Sequence, residues 1–339
     1  MGAEMKKIKT ISVIGLGKLG LPIATTFAEN DYKVIGIDIG LGGTICRKIG
    51  YKIINIHIGE SYKNLGNIIF VVVPTPSMID DKFTSKIVED VLDKIKKKQI
   101  VVIVSTLMPG ETNRLQKKYP HLTLIYNPTF IALGSVAYDF THPDFVLIGS
   151  KNRKATETLQ TIYNKILKVE PHFAVLMPLE AEIAKLALNC YITTKITFAN
   201  QIGNLCYRLN IKPNNILNTI GMDSRIGNKY FKAGLGYGGT CFPRDNLALS
   251  AYCNENNFNP TLFKCIDFLN RLQELEIVER IEKLNPKIVG FKSLSFKKGI
   301  DITECSPLKE IYEILKNRGY KVKIGKGDVN LDWGGICQK

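Results

Sequence analysis

Apolar positions follow two different periods along this chain. In its first half they come in short, nearly unbroken runs: Ile8 to Ile14, then "KVIGID" (33–38), "NIIFVVVPTP" (67–76), "QIVVIVSTLMPGET" (99–112) and "LTLIYNP" (122–128). Runs of this length, bounded by glycine, proline and asparagine, predict buried strands. The segment "SKIVEDVLDKIKKK" (85–98) has helical spacing instead. Strands alternating with helices predict an α/β fold built on a parallel, doubly wound sheet. From Asp38 to Ile68 the chain is glycine-rich and poorly periodic, and no element is predicted there.

The first strand leads into Gly15, Gly17 and Gly20 at GxGxxG spacing, with Leu16, Lys18 and Leu19 between them, then a helix and a second strand ending at Asp38. Glycines at these places allow a tight turn, close approach of a pyrophosphate and close helix packing, while the helix N-terminus faces the phosphates. An acid at Asp38 suits the ribose hydroxyls and repels a 2'-phosphate, so the Rossmann-like sheet is expected to take NAD rather than NADP. Ligands of such sheets gather at the carboxyl ends of the strands, where Val73, Pro74, Thr75, Pro76, Ser105, Thr106 and Asn127 fall.

At Pro178 the period changes. Residues 178–210 read as one long helix, with Ile183, Leu186, Ala187 and Cys190 on one apolar face. Lys185 and Asn189, four apart, project together as a cation and an amide donor, a pair suited to steadying an oxyanion or moving a proton. A second apolar face on this helix predicts burial in a homodimer. Further on, "GYGGTCFPRD" sets Cys241 just before a proline-marked helix start, where the helix dipole and Arg244 favour a thiolate; the glycines remove bulk on the approach side and let backbone amides converge on a bound group. After Pro286 the pattern predicts strand "KIVGF", helix "SPLKEIYEILKNRG", strand "YKVKIG" and a short tail. Three domains follow: 1–175, 176–280 (all-helical) and 281–339 (a shortened α/β domain).

Composition narrows the partners. The net charge of +15 favours an anionic ligand, and no RNA-binding signature accompanies it, so a phosphorylated small molecule is expected rather than nucleic acid. No apolar run is long enough for a membrane span, and the basic start lacks the apolar stretch of a secretory signal, so a soluble, cytoplasmic protein is expected. Eight cysteines without a CxxC pair argue against a metal site or disulfide framework and predict mostly buried, reduced thiols.

The segments "GLGKLGLP", "VPTP", "STLMPGET", "PDFVLIG", "EIAKLALN", "IGMDSRIGNKYFKAGLGYGGTCFPRD" and "GFKSLSFKK", in this order, resemble the UDP-glucose/GDP-mannose dehydrogenase family over about residues 8 to 300. The resemblance implies NAD-dependent, four-electron oxidation of a nucleotide sugar, most like conversion of UDP-glucose to UDP-glucuronate. Cys241 matches the family nucleophile; Lys185 and Asn189 match residues that steady the oxygen at C6; Asp245 and Thr106 match groups near the lysine, the water and the nicotinamide. Thr129, Phe130, Ile131 and Leu133 match a substrate-facing segment. Arg225 matches an arginine that crosses the dimer interface. Lys232 to Gly238, including Gly236 and Tyr237, matches the loop around the sugar nucleotide, and Phe296 and Lys297 match contacts from the third domain.

The chain departs from the family where Thr129 and Leu133 stand in place of acids and where Thr303 replaces an arginine. It departs also in the short segment after Asp38 and in the reduced third domain. Two other readings fit part of the pattern. One is a two-electron 3-hydroxyacid-type dehydrogenase, which shares the glycine turn and the lysine–asparagine pair; the other is a protein that binds NAD and UDP-sugar without turning them over.

Overall fold

The computed structural model describes residues 8–39, 43–49, 52–58 and 62–337. Two compact units divide the chain, Met1–Lys185 and Leu186–Lys339. The division falls inside the long helix α6 (Pro178–Arg208).

The first unit is built on nine strands: β1 (Thr10–Ile14), β2 (Lys33–Ile37), β3 (Gly43–Ile49), β4 (Lys52–Ile58), β5 (Ile68–Val71), β6 (Ile100–Ile103), β7 (Thr123–Tyr126), β8 (Val146–Gly149) and β9 (Phe173–Leu176). Their order in the sheet is β3-β4-β2-β1-β5-β6-β7-β8-β9. All neighbours are parallel except β3 with β4 and β7 with β8. The expected parallel sheet is therefore mixed at two places. Only two residues of sequence separate β3 from β4, which permits no crossover. This pair occupies the segment in which the hydropathy pattern predicts nothing.

Why the strands read as unbroken apolar runs is explained by their two buried faces. Ile11, Val13, Ile68, Phe70 and Val102 pack on one side with Phe27 of α1 (Gly20–Glu29) and Leu159 of α5 (Arg153–Ile166). Ile14, Ile69, Val71, Val101 and Ile103 pack on the other with Val88 and Leu92 of α2 (Lys86–Leu92) and Leu115 of α3 (Glu111–Lys118). Each such side chain, fully buried, contributes about 1.5–3 kcal/mol. Helix α2 stops earlier than its sequence pattern suggests: Ile95 is still buried, but Lys96, Lys97 and Lys98 offer no apolar position for another turn. Strand β6 likewise ends at Ile103, and the end of "STLMPGET" opens α3 after Gly110, whose φ of 96° turns the chain. A short helix α4 (Val136–Thr141) precedes β8.

The second unit holds most of α6, then α7 (Pro213–Gly221), α8 (Phe242–Glu255), α9 (Thr261–Lys283) and α10 (Pro307–Asn317). Its sheet, in the order β11-β10-β12-β13, combines β10 (Ile288–Phe291), β11 (Lys321–Ile324), β12 (Val329–Asp332) and β13 (Gly335–Ile336). The expected tail is thus a hairpin, drawn in by Leu331, which is fully buried with Val289, Phe291, Leu308 and Ile277.

The expectation of mostly buried cysteines fails. Cys190 and Cys206 are free and buried and Cys253 is half-buried, but Cys241, Cys265, Cys305 and Cys337 are free and exposed, at helix starts and outside regular elements. No helix among the described residues is long and apolar enough to cross a membrane.

Candidate active site

In the first unit the turn after β1 is shaped by its glycines. Gly15 adopts a φ of 89°, and a Cβ there would lie 2.4 Å from the Val72 carbonyl oxygen. A Cβ on Gly20 would meet the Gly15 carbonyl oxygen at 1.8 Å, so helix α1 packs on the turn itself. Gly17 has nothing within 4 Å of that position, which leaves its backbone open to a ligand. The Leu16 N–H donates to Asp38 Oδ2 at 2.7 Å, and Gly15 N donates to the Ile37 carbonyl at 2.8 Å. Asp38 thus ties the turn to the end of β2. An open Gly17 at a helix N-terminus with a carboxylate alongside fits a dinucleotide pyrophosphate and ribose.

The ends of β5 and β6 are joined by hydroxyls. Ser105 Oγ donates to the Val73 carbonyl at 2.7 Å and accepts from Val73 N at 3.0 Å, and Thr75 Oγ1 donates to the Thr106 carbonyl at 2.7 Å. Asn127, also at a strand end, is buried and held by Tyr163 and the Leu147 carbonyl. Pro74 and Pro76 are exposed and Thr106 is half-buried.

Helix α6 starts with Pro178 at its first turn, and Glu180 accepts from Met177 N at 2.8 Å, a cap of the boxed kind. One turn on, Glu182 is fully buried and accepts three hydrogen bonds: from Gly110 N (2.6 Å), Thr112 N (2.7 Å) and Thr112 Oγ1 (2.6 Å). It caps the N-terminus of α3 from another helix. Burial pushes its carboxyl above the ordinary range, while the three donors pull the other way. Lys185 follows at i+3. Its ammonium donates to the Thr129 carbonyl at 2.9 Å and lies 4.6 Å from the Phe130 ring centroid. So the structure joins Lys185, Thr129 and Phe130; Ile131 and Leu133 are half-buried nearby in sequence.

In the second unit, Asn189 Nδ2 donates to Asp245 Oδ2 at 2.6 Å, and both residues are buried. Asp245 lies in the first turn of α8, four residues after Cys241. Cys241 is the N-cap residue, as its sequence setting predicts; it is exposed, with its Sγ 3.6 Å from Thr240 Oγ1. Arg244 Nε stands 3.8 Å from Asp245 Oδ1. Cys190, by contrast, is buried, and desolvation followed by the Asp245 charge pushes its thiol up to about 12. It is a packing residue, whereas the Cys241 thiol is accessible.

The glycine loop is used differently from the expectation: at three of its glycines it is the protein itself that packs closely on the backbone. A Cβ on Gly236 would lie 2.7 Å from Asn270 Oδ1 and 2.8 Å from Glu274 Oε1; one on Gly238 would strike the Cys305 carbonyl at 2.1 Å; one on Gly239 would strike the Phe296 ring at 2.6 Å. Side-chain amides then hold the loop as a neighbouring strand would. Asn270 accepts from Tyr237 N (2.7 Å) and donates to its carbonyl (3.0 Å), Gln273 donates to Gly234 O (2.7 Å), and Asn200 pairs with Gly234 N (2.8 Å) and Leu235 O (3.0 Å). The Tyr237 side chain is itself buried. Lys232 and Lys297 are exposed, and the exposed Arg225 pairs with Asp223 at 2.6 Å. Asn270, Gln273 and Glu274 escape the sequence reading, as does Glu182. Their signal is a polar stripe at i, i+3, i+4 on the otherwise apolar inner face of α9.

Two sequence profiles of one family match the chain: the NAD-binding domain of the UDP-glucose/GDP-mannose dehydrogenases over residues 54–167, and their central domain over 179–271. The chain belongs to the UDP-glucose/GDP-mannose dehydrogenase family. NAD is accordingly the cofactor of its nucleotide-binding domain. Among curated relatives, the UDP-glucose 6-dehydrogenase of Rickettsia prowazekii (strain Madrid E) is 31% identical over 80% of this chain, which spans 65% of that protein's length. The UDP-glucose 6-dehydrogenase AglM of Haloferax volcanii is 28% identical, covering 92% of this chain and 82% of its own. A solved UDP-glucose dehydrogenase from the archaeon Pyrobaculum islandicum superimposes with a TM-score of 0.83 at 27% identity, covering 96% of this chain and 83% of the other.

Proposed function

We propose that the protein oxidises a nucleotide sugar with NAD, UDP-glucose to UDP-glucuronate, in two successive two-electron steps. The observation that carries this reading is the head of α8: an exposed Cys241 at the N-cap, with a buried Asp245 one turn on that holds the Asn189 amide. A simple alcohol dehydrogenase needs no such thiol. Bound at the glycine turn, NAD supplies the hydride acceptor. Lys185 and Asn189 steady the C6 oxygen as the alcohol becomes an aldehyde. Cys241 Sγ then adds to the aldehyde carbon, and the carbonyl oxygen takes the proton, giving a thiohemiacetal. Loss of a second hydride and a proton leaves a thioester, which water cleaves to the carboxylate and the free thiol. Thr106 and Asp245 serve the water, since Thr129 does not ionise near neutral pH.

The test is stoichiometric. With excess NAD, two NADH are expected for each UDP-glucose consumed, and Cys241→Ser should form no glucuronate. One NADH, or none, overturns the two-step reading.

The dimer through α6 is proposed on Tyr191, Phe198 and Leu205, which are 61%, 49% and 53% exposed at seven-residue spacing and so share one face. Leu205→Glu is expected to yield monomers by light scattering. A wild-type protein that is an active monomer overturns the interface.

A further inference from the structure

Strands β12 and β13 pair antiparallel, Leu331 with Ile336 and Asp332 with Gly335, so Trp333 and Gly334 form a two-residue turn. Such turns favour small residues with positive φ, and a tryptophan contributes nothing to their geometry. Here Gly335, with φ of 101°, and the Gly334 N–H bond to Asp332 Oδ1 (2.8 Å) shape the chain reversal. The indole is only half-buried, against the core of the small sheet.

The turn meets the glycine loop. A Cβ placed on Gly234 would lie 3.0 Å from the Gly334 carbonyl oxygen. At the other end of the same loop, Gly239 is covered by the Phe296 ring. The two brackets are connected, because Trp333 Nε1 donates to the carbonyl of Ser295 at 3.0 Å. That bond satisfies the indole N–H and fixes the ring's attitude, with part of the ring against the core and part open to solvent. The exposed Lys292 places its ammonium 5.7 Å from the ring centroid. A flat, oriented aromatic surface beside Lys292, at the edge of a loop fixed by amide bonds, has the chemistry of a nucleotide subsite.

We propose that Trp333 is the platform on which the base of the nucleotide sugar stacks. The assignment rests on the reading above that the Lys232–Gly238 loop takes a nucleotide sugar. It gives the C-terminal hairpin a part in base recognition.

Trp333 is the chain's single tryptophan. Its emission therefore reports on this position alone in the unmodified protein. Titration with UDP or GDP is expected to quench or shift the emission saturably, in step with binding measured by calorimetry, whereas inorganic pyrophosphate leaves it unchanged. Trp333→Ala should raise KM for the nucleotide sugar about tenfold, with most of the loss in kcat/KM lying in KM, and Trp333→Phe should recover most of it. Nucleotide binding by calorimetry with silent emission overturns the proposal, as does a Trp333→Ala protein with unaltered KM. If NADH still forms from UDP-glucose in those cases, the functional reading survives and this one alone fails. Absence of both UDP and GDP binding and of NADH formation removes both.

Discussion

Among the described residues each unit buries one glutamate, and the two are treated very differently. Glu182, in the first unit, is fully buried and has both carboxylate oxygens engaged by three donors at the N-terminus of α3. Glu274, in the second, is 6% exposed under Gly236, and its Oε2 has no hydrogen-bond partner. Burial raises the pKa of both. Only Glu274 is carried up to about 8, with the negative charges of Glu310 and Asp267 adding to the effect and Arg271 opposing it. The same side chain is a structural bond in one place and a source of strain in the other, and the difference is the number of donors that meet it.

The largest effect is expected at Glu182. Glu182→Ala leaves Gly110 N and both Thr112 donors without their acceptor inside the protein, which should cost about 3–5 kcal/mol in denaturant unfolding. Glu182→Gln keeps one acceptor oxygen and should cost less. If the alanine variant loses under about 1 kcal/mol, the cap on α3 is not what makes this carboxylate tolerable, and the comparison breaks.

Much of the first unit and of α6 is legible from local pattern, because the signals are local: apolar runs for buried strands, Gly15, Gly17 and Gly20 for the turn, Pro178 and Pro243 for helix starts. The position of Cys241 as an N-cap is of this kind. Glu182 is not, since its partners lie 70 and 72 residues away and a lone glutamate on a helix carries no mark of them. The glycines of the Gly236–Gly239 stretch mislead for a related reason. Their sequence signals only that no Cβ is tolerated, and what fills the place, Glu274, Cys305 or Phe296, comes from distant segments. The hairpin that carries Trp333 is missed because its strands are short, at four and two residues, and Leu331 is their one buried side chain beside the buried Gly335. The Asn189–Asp245 bond joins two residues that the family resemblance names separately, and only the fold shows that one holds the other.

A smaller effect, opposite in sign, is expected at Glu274. Its folded pKa of about 8 lies above the ordinary 4.5. Between those values the folded chain keeps a proton that the unfolded chain has released, so stability falls as pH rises through this window and levels off above it. A glutamine there has the shape of the protonated acid and never ionises. Glu274→Gln should therefore match the wild type below about pH 4.5 and become the more stable protein above about pH 8, by no more than the roughly 5 kcal/mol that the full shift allows. Urea midpoints measured across that range will show a sloping wild-type curve and a flatter variant curve. Because the Glu274 carboxyl lies against Gly236, its ionisation should also loosen the loop, and the wild-type KM for the nucleotide sugar should rise over the same interval while the variant's stays level. Parallel stability curves for the two proteins would mean that Glu274 finds a donor in solution, and the contrast with Glu182 would then be one of degree.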